Sequence, residues 1–535
     1  MFDYIVVGAG SAGCVVANRL TADGKHSVAL LEAGPSDRSG MYRHLTRIPM
    51  GMIALMRQTA THWAHELLVG DASKPERRVP SPRGRIAGGT SAINGMLYLR
   101  GHPEDYDAWA EAGNSGWSFK DVLPFFKCHE NFEDGASTYH GSDGELRVEG
   151  IKDLHPLSAS FIQSAVNAGY PFNGDMNGAS IHGFGRHHLT MTRGERLTSA
   201  RAFLHPAMER KNLHLMCNTV VQKLLIEDDH VVGVSVLRDG MMVDLRASKE
   251  VILCGGTMNS PQLLMLSGIG DAQELNAAGI TVRHVLAGVG QNYQDHACAL
   301  VSASERGHKS IGLTFAGAPS LANAPLKYLF RRKGVLAESV IQCGGFLNHD
   351  GQSKSPTIKL EFMPMLRTIG SVIPRQHGFN VFVALLRPAS RGRLRLRSSL
   401  AADLPIIEPH FFEDPADMDV LIEGLRITRR ILGQAPLAHQ ILDEIRPGRQ
   451  VQSDVELRDY VQNNFGTTYH PVGTCKMGPS TDRGAVVDHR LRVHGLRGLR
   501  VADASIMPTI VCANTNAPSM MIGEKAASLV LDDVD

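Results

Sequence analysis

Two side chains of this 535-residue sequence are chemically suited to work on a hydroxyl group. One is His470, in the run Tyr469-His470-Pro471-Val472-Gly473-Thr474. The other is Asn514, in Asn514-Thr515-Asn516-Ala517-Pro518. An imidazole titrates near neutral pH and serves as a general base. A carboxamide donates a hydrogen bond to an oxygen that is gaining negative charge. Removing a hydroxyl proton together with a hydride from the same carbon also needs an electron-pair acceptor, which no side chain provides. Alone, a His-Pro pair reads equally well as a structural turn. The pair acquires meaning only if the chain holds a redox cofactor beside it.

A site for such a cofactor lies at the opposite end of the chain. Asp3-Tyr4-Ile5-Val6-Val7 reads as a buried strand, Gly8-Ala9-Gly10-Ser11-Ala12-Gly13 follows at once, and Val15, Val16, Arg19 and Leu20 continue at helical spacing. This is GxGxxG in its strand–turn–helix context. Gly8 permits the tight turn, Gly10 lets backbone approach a pyrophosphate, and Gly13 allows close helix–strand packing. The amides and the helix dipole then hold phosphate. A second strand, Ser27 to Leu31, ends in Glu32, roughly twenty residues past the glycines. Its carboxylate suits ribose hydroxyls and repels a 2′-phosphate, which disfavours NADP. The motif is compatible with both FAD and NAD.

The remaining composition narrows the classes of function. The chain exceeds what one core serves, so two or more domains are expected. Its 43% hydrophobic and 20% charged content and net charge of +1 give no field favouring nucleic acid or an anionic surface. Arg391 to Arg397 alternates basic and apolar residues as a strand with one polar face does. Eight cysteines without a CxxC pair indicate neither zinc nor a disulfide framework and suit a reducing cytoplasm. No metal is expected from His187-His188 or from His62 and His65. Trp63, Trp109 and Trp117 read as packing residues. A strand beginning at Phe2 leaves no room for a signal peptide, and no run of eighteen apolar residues marks a membrane span. The expectation is a cytoplasmic protein.

Two further glycine-rich stretches lie between the ends: Gly84-Arg85-Ile86-Ala87-Gly88-Gly89-Thr90-Ser91-Ala92-Ile93-Asn94-Gly95, and Gly256-Thr257-Met258-Asn259-Ser260-Pro261 running on to Gly270. Gly88-Gly89 can lie against a ring system or phosphate, with Thr90, Ser91 and Asn94 as hydrogen-bonding groups. Val251 to Cys254 reads as a strand, and Ser260-Pro261 as the opening of a helix.

With the N-terminal fingerprint through Glu32-Ala33-Gly34 and the stretch from His470 through Asp503-Ala504 to Pro518, these motifs resemble the glucose–methanol–choline (GMC) family of flavin-dependent alcohol oxidoreductases. The likeness is to its choline dehydrogenase-like, alcohol dehydrogenase branch. It covers nearly the whole chain and is weakest from about Arg306 to Pro374. The resemblance implies FAD and an α/β fold, a Rossmann-like FAD-binding domain with an inserted α+β substrate-binding domain built on an antiparallel sheet. The FAD-binding pieces would be 1–155, 193–305 and 458–535, and the substrate-binding pieces 156–192 and 306–457. Strands at Phe379 to Leu386 and Leu394 to Arg397 would roof the flavin, Arg43 to Gly70 would cover it, and a helix from Met520 to Val530 would pack beside the first Rossmann helix.

The resemblance further implies that Gly8, Gly10, Ser11, Gly13, Glu32, Ala33, Gly89, Thr90, Asn94, Gly95, Val221, Asp503, Ala504 and Asn516 bind FAD. His470 and Asn514 would be catalytic. Ala87 stands where the family usually has a larger aliphatic residue. Ile93 stands where some choline-oxidising members carry the histidine that bonds FAD covalently, so the FAD is expected to be non-covalent. Gln342 stands where those relatives carry an acid, which favours a neutral primary alcohol over choline. The expected reaction oxidises that alcohol to the aldehyde, with His470 as base and flavin N5 as hydride acceptor. Electrons then pass to a quinone, another carrier or oxygen. The alternatives are an FAD-containing lyase of hydroxynitrile type, an oxygen-using alcohol oxidase that includes choline-type substrates, and a flavin-binding protein without catalysis.

Overall fold

In the computed structural model, which describes residues 1–70, 77–312, 322–351, 353–366 and 376–533, the run Phe2–Val7 forms strand β1 and ends at Gly8. Gly8 has φ 103°, a conformation strained for any L side chain, and helix α1 (Ser11–Leu20) starts directly after the turn. A Cβ on Gly13 would lie 1.9 Å from the Gly8 carbonyl oxygen, so the helix and the turn touch through glycine. β1 pairs in parallel with β2 (Val28–Leu31) on one side and with the end of the long strand Met241–Leu253 on the other. Leu213–Met216 and Leu499–Val501 extend this parallel region, while the first half of Met241–Leu253 pairs antiparallel with His230–Arg238, which in turn pairs with Thr219–Glu227. The seven strands form one sheet.

Helix α2 (Gly256–Leu266) begins at Gly256 and carries Pro261 in its interior, so Pro261 does not open it. The cause is distant in sequence. Asp503 accepts hydrogen bonds from the Gly256 amide at 2.8 Å and from Ser260 Oγ at 2.6 Å, which fixes the helix start. Pro261 cannot donate to the Thr257 carbonyl, and Thr474 Oγ1 does so instead at 2.6 Å. Helix α3 (Asn516–Asp532) packs along α1, with Arg19 paired to Glu524 at 2.7 Å. Ser11 Oγ donates to Asn516 Oδ1 at 2.7 Å, so the two ends of the chain meet at the phosphate turn.

A second seven-stranded sheet is antiparallel. At its centre are β3 (Ala297–Glu305), β4 (Cys343–Leu347), β5 (Ile358–Met363) and β6 (Gly378–Leu385). Gly183–Arg186 and Ile441–Arg446 form the ends of the strand order, and Gly466–Thr467 adds to β3. Alternation along each strand divides the residues between two apolar layers. Ile358, Leu360, Phe362, Val381 and Val383 pack in one core with Leu421 and Leu425 of the helix Pro415–Leu432. Cys298, Met363, Phe382 and Ala384 form another on the opposite face. Both faces are buried, which is why β6 reads as a nearly continuous apolar run.

Two assignments change. Ala297–Glu305, placed by sequence with the nucleotide-binding part, is a strand of this second sheet, because it pairs with β6 on one side and Ile441–Arg446 on the other. Leu394 to Arg397 does not join it. Only Arg393–Arg395 is a strand there, and it pairs with Ile406–Glu408 in a separate sheet, with Arg393 and Arg395 ion-paired to Glu408 along its polar edge. Residues 313–321, 352 and 367–375 of the expected insertion, and 534–535 of the last piece, lie outside the described residues.

Candidate active site

His470 is positioned by a backbone crossing between two loops. Gln294 and Val472 exchange backbone hydrogen bonds at 2.9 and 3.1 Å, and Thr468 N donates to the His296 carbonyl at 3.0 Å. The buried Asp295 carboxylate accepts from the His470 amide at 2.8 Å and from Thr467 Oγ1 at 2.5 Å. Tyr469 is held at φ 65°, an uncommon conformation for a non-glycine residue, immediately before the histidine. Thr257 Oγ1 donates to the Pro471 carbonyl at 2.7 Å, which couples the segment to α2.

The imidazole itself is 8% exposed. Its Nε2 lies 2.9 Å from Asn514 Nδ2, and its Nδ1 lies 2.8 Å from Thr468 Oγ1 and 3.0 Å from His296 Nδ1. Burial, then the neighbouring His296, Lys359 and Arg83, hold the His470 pKa well below the ordinary imidazole value. Burial likewise pushes His296 down to about 3. Both rings are therefore neutral at neutral pH. Asp295 is pushed up to about 6 by burial.

One cavity of about 1210 Å³ has His470 and Asn514 in its wall together with Gly8, Gly10, Ser11, Glu32, Ala33, Gly89, Thr90, Asn94, Gly95, Val221, Asp503, Ala504 and Asn516. Of the residues expected to bind FAD or to be catalytic, only Gly13 stays off the wall, where its part is the helix–turn contact. The two ends of the chain thus converge on a single cavity.

The wall suits a dinucleotide at the Glu32 end. A Cβ on Gly10 would meet nothing nearer than the Cys254 carbonyl oxygen at 3.9 Å, so the turn leaves open room above its backbone. The Glu32 side chain is buried and accepts from the Ala9 amide at 3.1 Å and the Gly34 amide at 2.9 Å, which fixes its carboxylate for further acceptance from hydroxyls. Asn94 Oδ1 is occupied by the Met96 amide and by Arg196 Nη1 at 2.8 Å, so its amide nitrogen is the group left to a ligand.

The sequence missed much of the remaining wall. Cys298, Leu300, Val340, Met363, Met365 and Phe382 make it apolar near the second sheet. Met52, Met56 and Trp63 line it from the 43–70 segment. Trp63 is therefore a wall residue with the Arg85 guanidinium 4.6 Å from its ring, whereas Trp109 and Trp117 are fully buried packing residues. Gln342 is not in the wall. Its side chain accepts from the His155 amide at 2.8 Å and donates to Glu338 at 3.0 Å. The acid that lines the cavity beside the second sheet is Glu361, ion-paired to the buried Lys359. Alternating charges in the run Ile358-Lys359-Leu360-Glu361-Phe362 were the available signal.

The family model for GMC oxidoreductases matches residues 2–298, and its C-terminal counterpart matches 388–523. An alcohol dehydrogenase [acceptor] of Pseudomonas putida is 43% identical over 539 residues, covering 100% of this chain and 96% of its own. The mitochondrial choline dehydrogenase of Homo sapiens is 40% identical, covering 99% of this chain and 89% of its own. Among solved structures, a formate oxidase of Aspergillus oryzae RIB40, determined in a study of FAD modification, superposes with a TM-score of 0.90 at 25% identity, covering 99% of this chain and 98% of that one. Among the described residues no helix is long and apolar enough to cross a membrane.

Proposed function

The chain belongs to the GMC oxidoreductase family, and from that premise we propose that it is an FAD-dependent dehydrogenase that oxidises a neutral primary alcohol to the aldehyde with His470 as general base. The observation that carries this reading is the pairing of His470 Nε2 with Asn514 Nδ2 at 2.9 Å, in the wall of the cavity that Gly10 and Glu32 also line.

Bound FAD supplies the hydride acceptor. The chain's residues hold it: the Gly8–Gly13 turn and the start of α1 at the pyrophosphate, Glu32 at the ribose, Val221 at the adenine, and Asn94 near the ring. Asp503 acts through α2, whose first turn it caps. An alcohol hydroxyl that replaces the direct Nδ2–Nε2 contact donates to His470 Nε2 and accepts from Asn514 Nδ2. The imidazole takes the proton while the amide stabilises negative charge developing on oxygen. Ile93 has no group to bond covalently to a flavin, so acid precipitation should release the yellow colour into solution; colour left wholly in the pellet would contradict this part. The FAD-binding part is assigned to 1–155, the residues from 193 to the start of β3, and 458–535.

Two observations support a neutral substrate. The wall beside the second sheet is apolar, and the charge of Glu361 is balanced by Lys359, so among the described residues a cation would meet no unpaired carboxylate there. The decisive experiment is an anaerobic panel of aliphatic, aromatic and cationic alcohols scored by loss of flavin absorbance. Bleaching by neutral primary alcohols is expected. Cyanohydrin cleavage without bleaching would instead establish a lyase, and tenfold preference for choline would overturn the substrate class. Stopped-flow reoxidation with a quinone against air separates dehydrogenase from oxidase, and faster reoxidation by the quinone is expected.

A further inference from the structure

We propose that the buried Lys359–Glu361 ion pair is a positioning device for the reacting pair, fixing which way the Asn514 carboxamide faces and hence which nitrogen of His470 carries no proton. The inference rests on the reading of His470 as the base.

The two charges stand on one face of β5, every residue of which is buried. Charged residues in such a strand are rare unless paired, and a buried pair is weak ground for stability by itself. Here the pair has a third partner. Lys359 Nζ lies 2.6 Å from Asn514 Oδ1 and is also bonded to the Glu361 carboxylate. An ammonium has donors only, so the amide oxygen of Asn514 must face Lys359. The amide nitrogen must then face His470 Nε2, at 2.9 Å, and an NH₂ group can only donate. Nε2 is therefore an acceptor without a proton. A neutral imidazole in that state carries its proton on Nδ1, where Thr468 Oγ1 and His296 Nδ1 are within 2.8 and 3.0 Å to receive it. Three donor–acceptor assignments in series, each forced by the one before, leave Nε2 the unprotonated nitrogen, its lone pair held by the Asn514 amide until a hydroxyl takes that place.

The ammonium also acts through its field. Among the described residues, the charged and titratable groups around His470 are Lys359 from β5, His296 and Asp295 from the loop before β3, and Arg83, just before the glycine-rich segment, whose Nη2 donates to the Tyr469 carbonyl at 2.9 Å. Lys359 and Arg83 disfavour an imidazolium, and Asp295 is engaged by the histidine's backbone amide. Glu361 keeps Lys359 from being an unpaired buried cation, and it does so from the cavity wall.

The test compares the native holoenzyme with Lys359→Met/Glu361→Gln, which removes both charges together and leaves neither buried alone. Ring-¹⁵N NMR of the histidines, with the His470 signals identified by their loss in His470→Ala, reads the tautomer in the resting protein. The native protein should show a single tautomer protonated on Nδ1. The double variant should retain FAD, show both tautomers, and titrate His470 about one unit higher. Its kcat should fall by roughly 10-fold to 100-fold, with the acid limb of kcat/KM shifted up in step. An unchanged tautomer and an unchanged limb, whatever the loss of rate, would overturn the proposal. If the double variant loses flavin, Lys359→Gln is read by the same two measurements and with the same criterion. Tautomer and titration need no alcohol, so they decide this inference even if no alcohol bleaches the flavin.

Discussion

At the Glu32 end of the cavity the groups facing a ligand are mostly backbone, set by glycines in one local turn; at the His470 end they are side chains brought from four distant segments. Gly8, Gly10 and Ser11 follow one another within a single turn, which Cys254 and Gly89 approach through backbone and Asn516 through its side chain. His470, Asn514, Lys359 and His296 come from separate stretches, and the reacting groups meet through their side chains. A turn made of backbone fails when a side chain is added to it. A cluster made of side chains fails when one is taken away. The two regions should therefore separate experimentally, one controlling cofactor retention and the other turnover.

The largest expected effect is at the side-chain end. His470→Ala should lower the rate of anaerobic flavin bleaching by two to four decades, on the order of what a lost general base costs, while flavin content stays at the native level. A variant that bleached at near-native rate would remove the base assignment. The converse experiment is Gly8→Ala. Its φ of 103° and the Cys254 carbonyl oxygen 2.5 Å from the added Cβ mean that the turn must shift. Strain of about 1–3 kcal/mol should appear as lost flavin, measured as the ratio of flavin to protein absorbance after gel filtration. Turnover per bound flavin should be nearly unchanged. If that ratio held while turnover per flavin fell, the two ends would not be independent.

A smaller effect sharpens the picture of the reacting end. His470 has a pKa held below its ordinary value, so it is deprotonated over a wider acidic range than a free imidazole. Activity that needs the neutral form is present above the folded pKa and is lost only as pH falls through it. The acid limb of kcat/KM should lie below the usual imidazole range near pH 6.5. A limb at or above that value would mean that burial and its cationic neighbours do not govern the ring.

The same contrast explains what the sequence made legible. The phosphate turn is local, and its strand, glycines and helix follow in order, so their spacing alone reveals it. His470 and Asn514 could be paired only through family likeness, because the crossing of Gln294 with Val472 that aims the imidazole has no local signature. Lys359 and Glu361 show in the sequence only as charges alternating with apolar residues, and their place in the site depends on which face of β5 turns to the cavity. Gln342 was misplaced for the same reason: it lies just before β4, bonded to His155 and Glu338 instead of facing the wall. Ala297–Glu305 was assigned by position along the chain, whereas its partners β6 and Ile441–Arg446 come long after it.

Pro261 gives the finest test of how far a distant contact can override a local rule. A proline there predicts a helix start, yet α2 runs through it from Gly256. The helix tolerates the missing donor because Thr474 Oγ1 satisfies the Thr257 carbonyl, and Thr257 Oγ1 in turn ties Pro471 to the helix. Thr474 lies just beyond His470, so one hydroxyl supports both the cofactor-side helix and the catalytic segment. Thr474→Val keeps the shape and removes the donor, which leaves a buried carbonyl unpaired at a cost of about 1–3 kcal/mol. Chemical denaturation of the holoenzyme should register that loss, together with a modest fall in turnover and unchanged flavin content. Full stability in Thr474→Val would mean that some other group satisfies the Thr257 carbonyl, and that the two ends of the cavity are not joined through this contact.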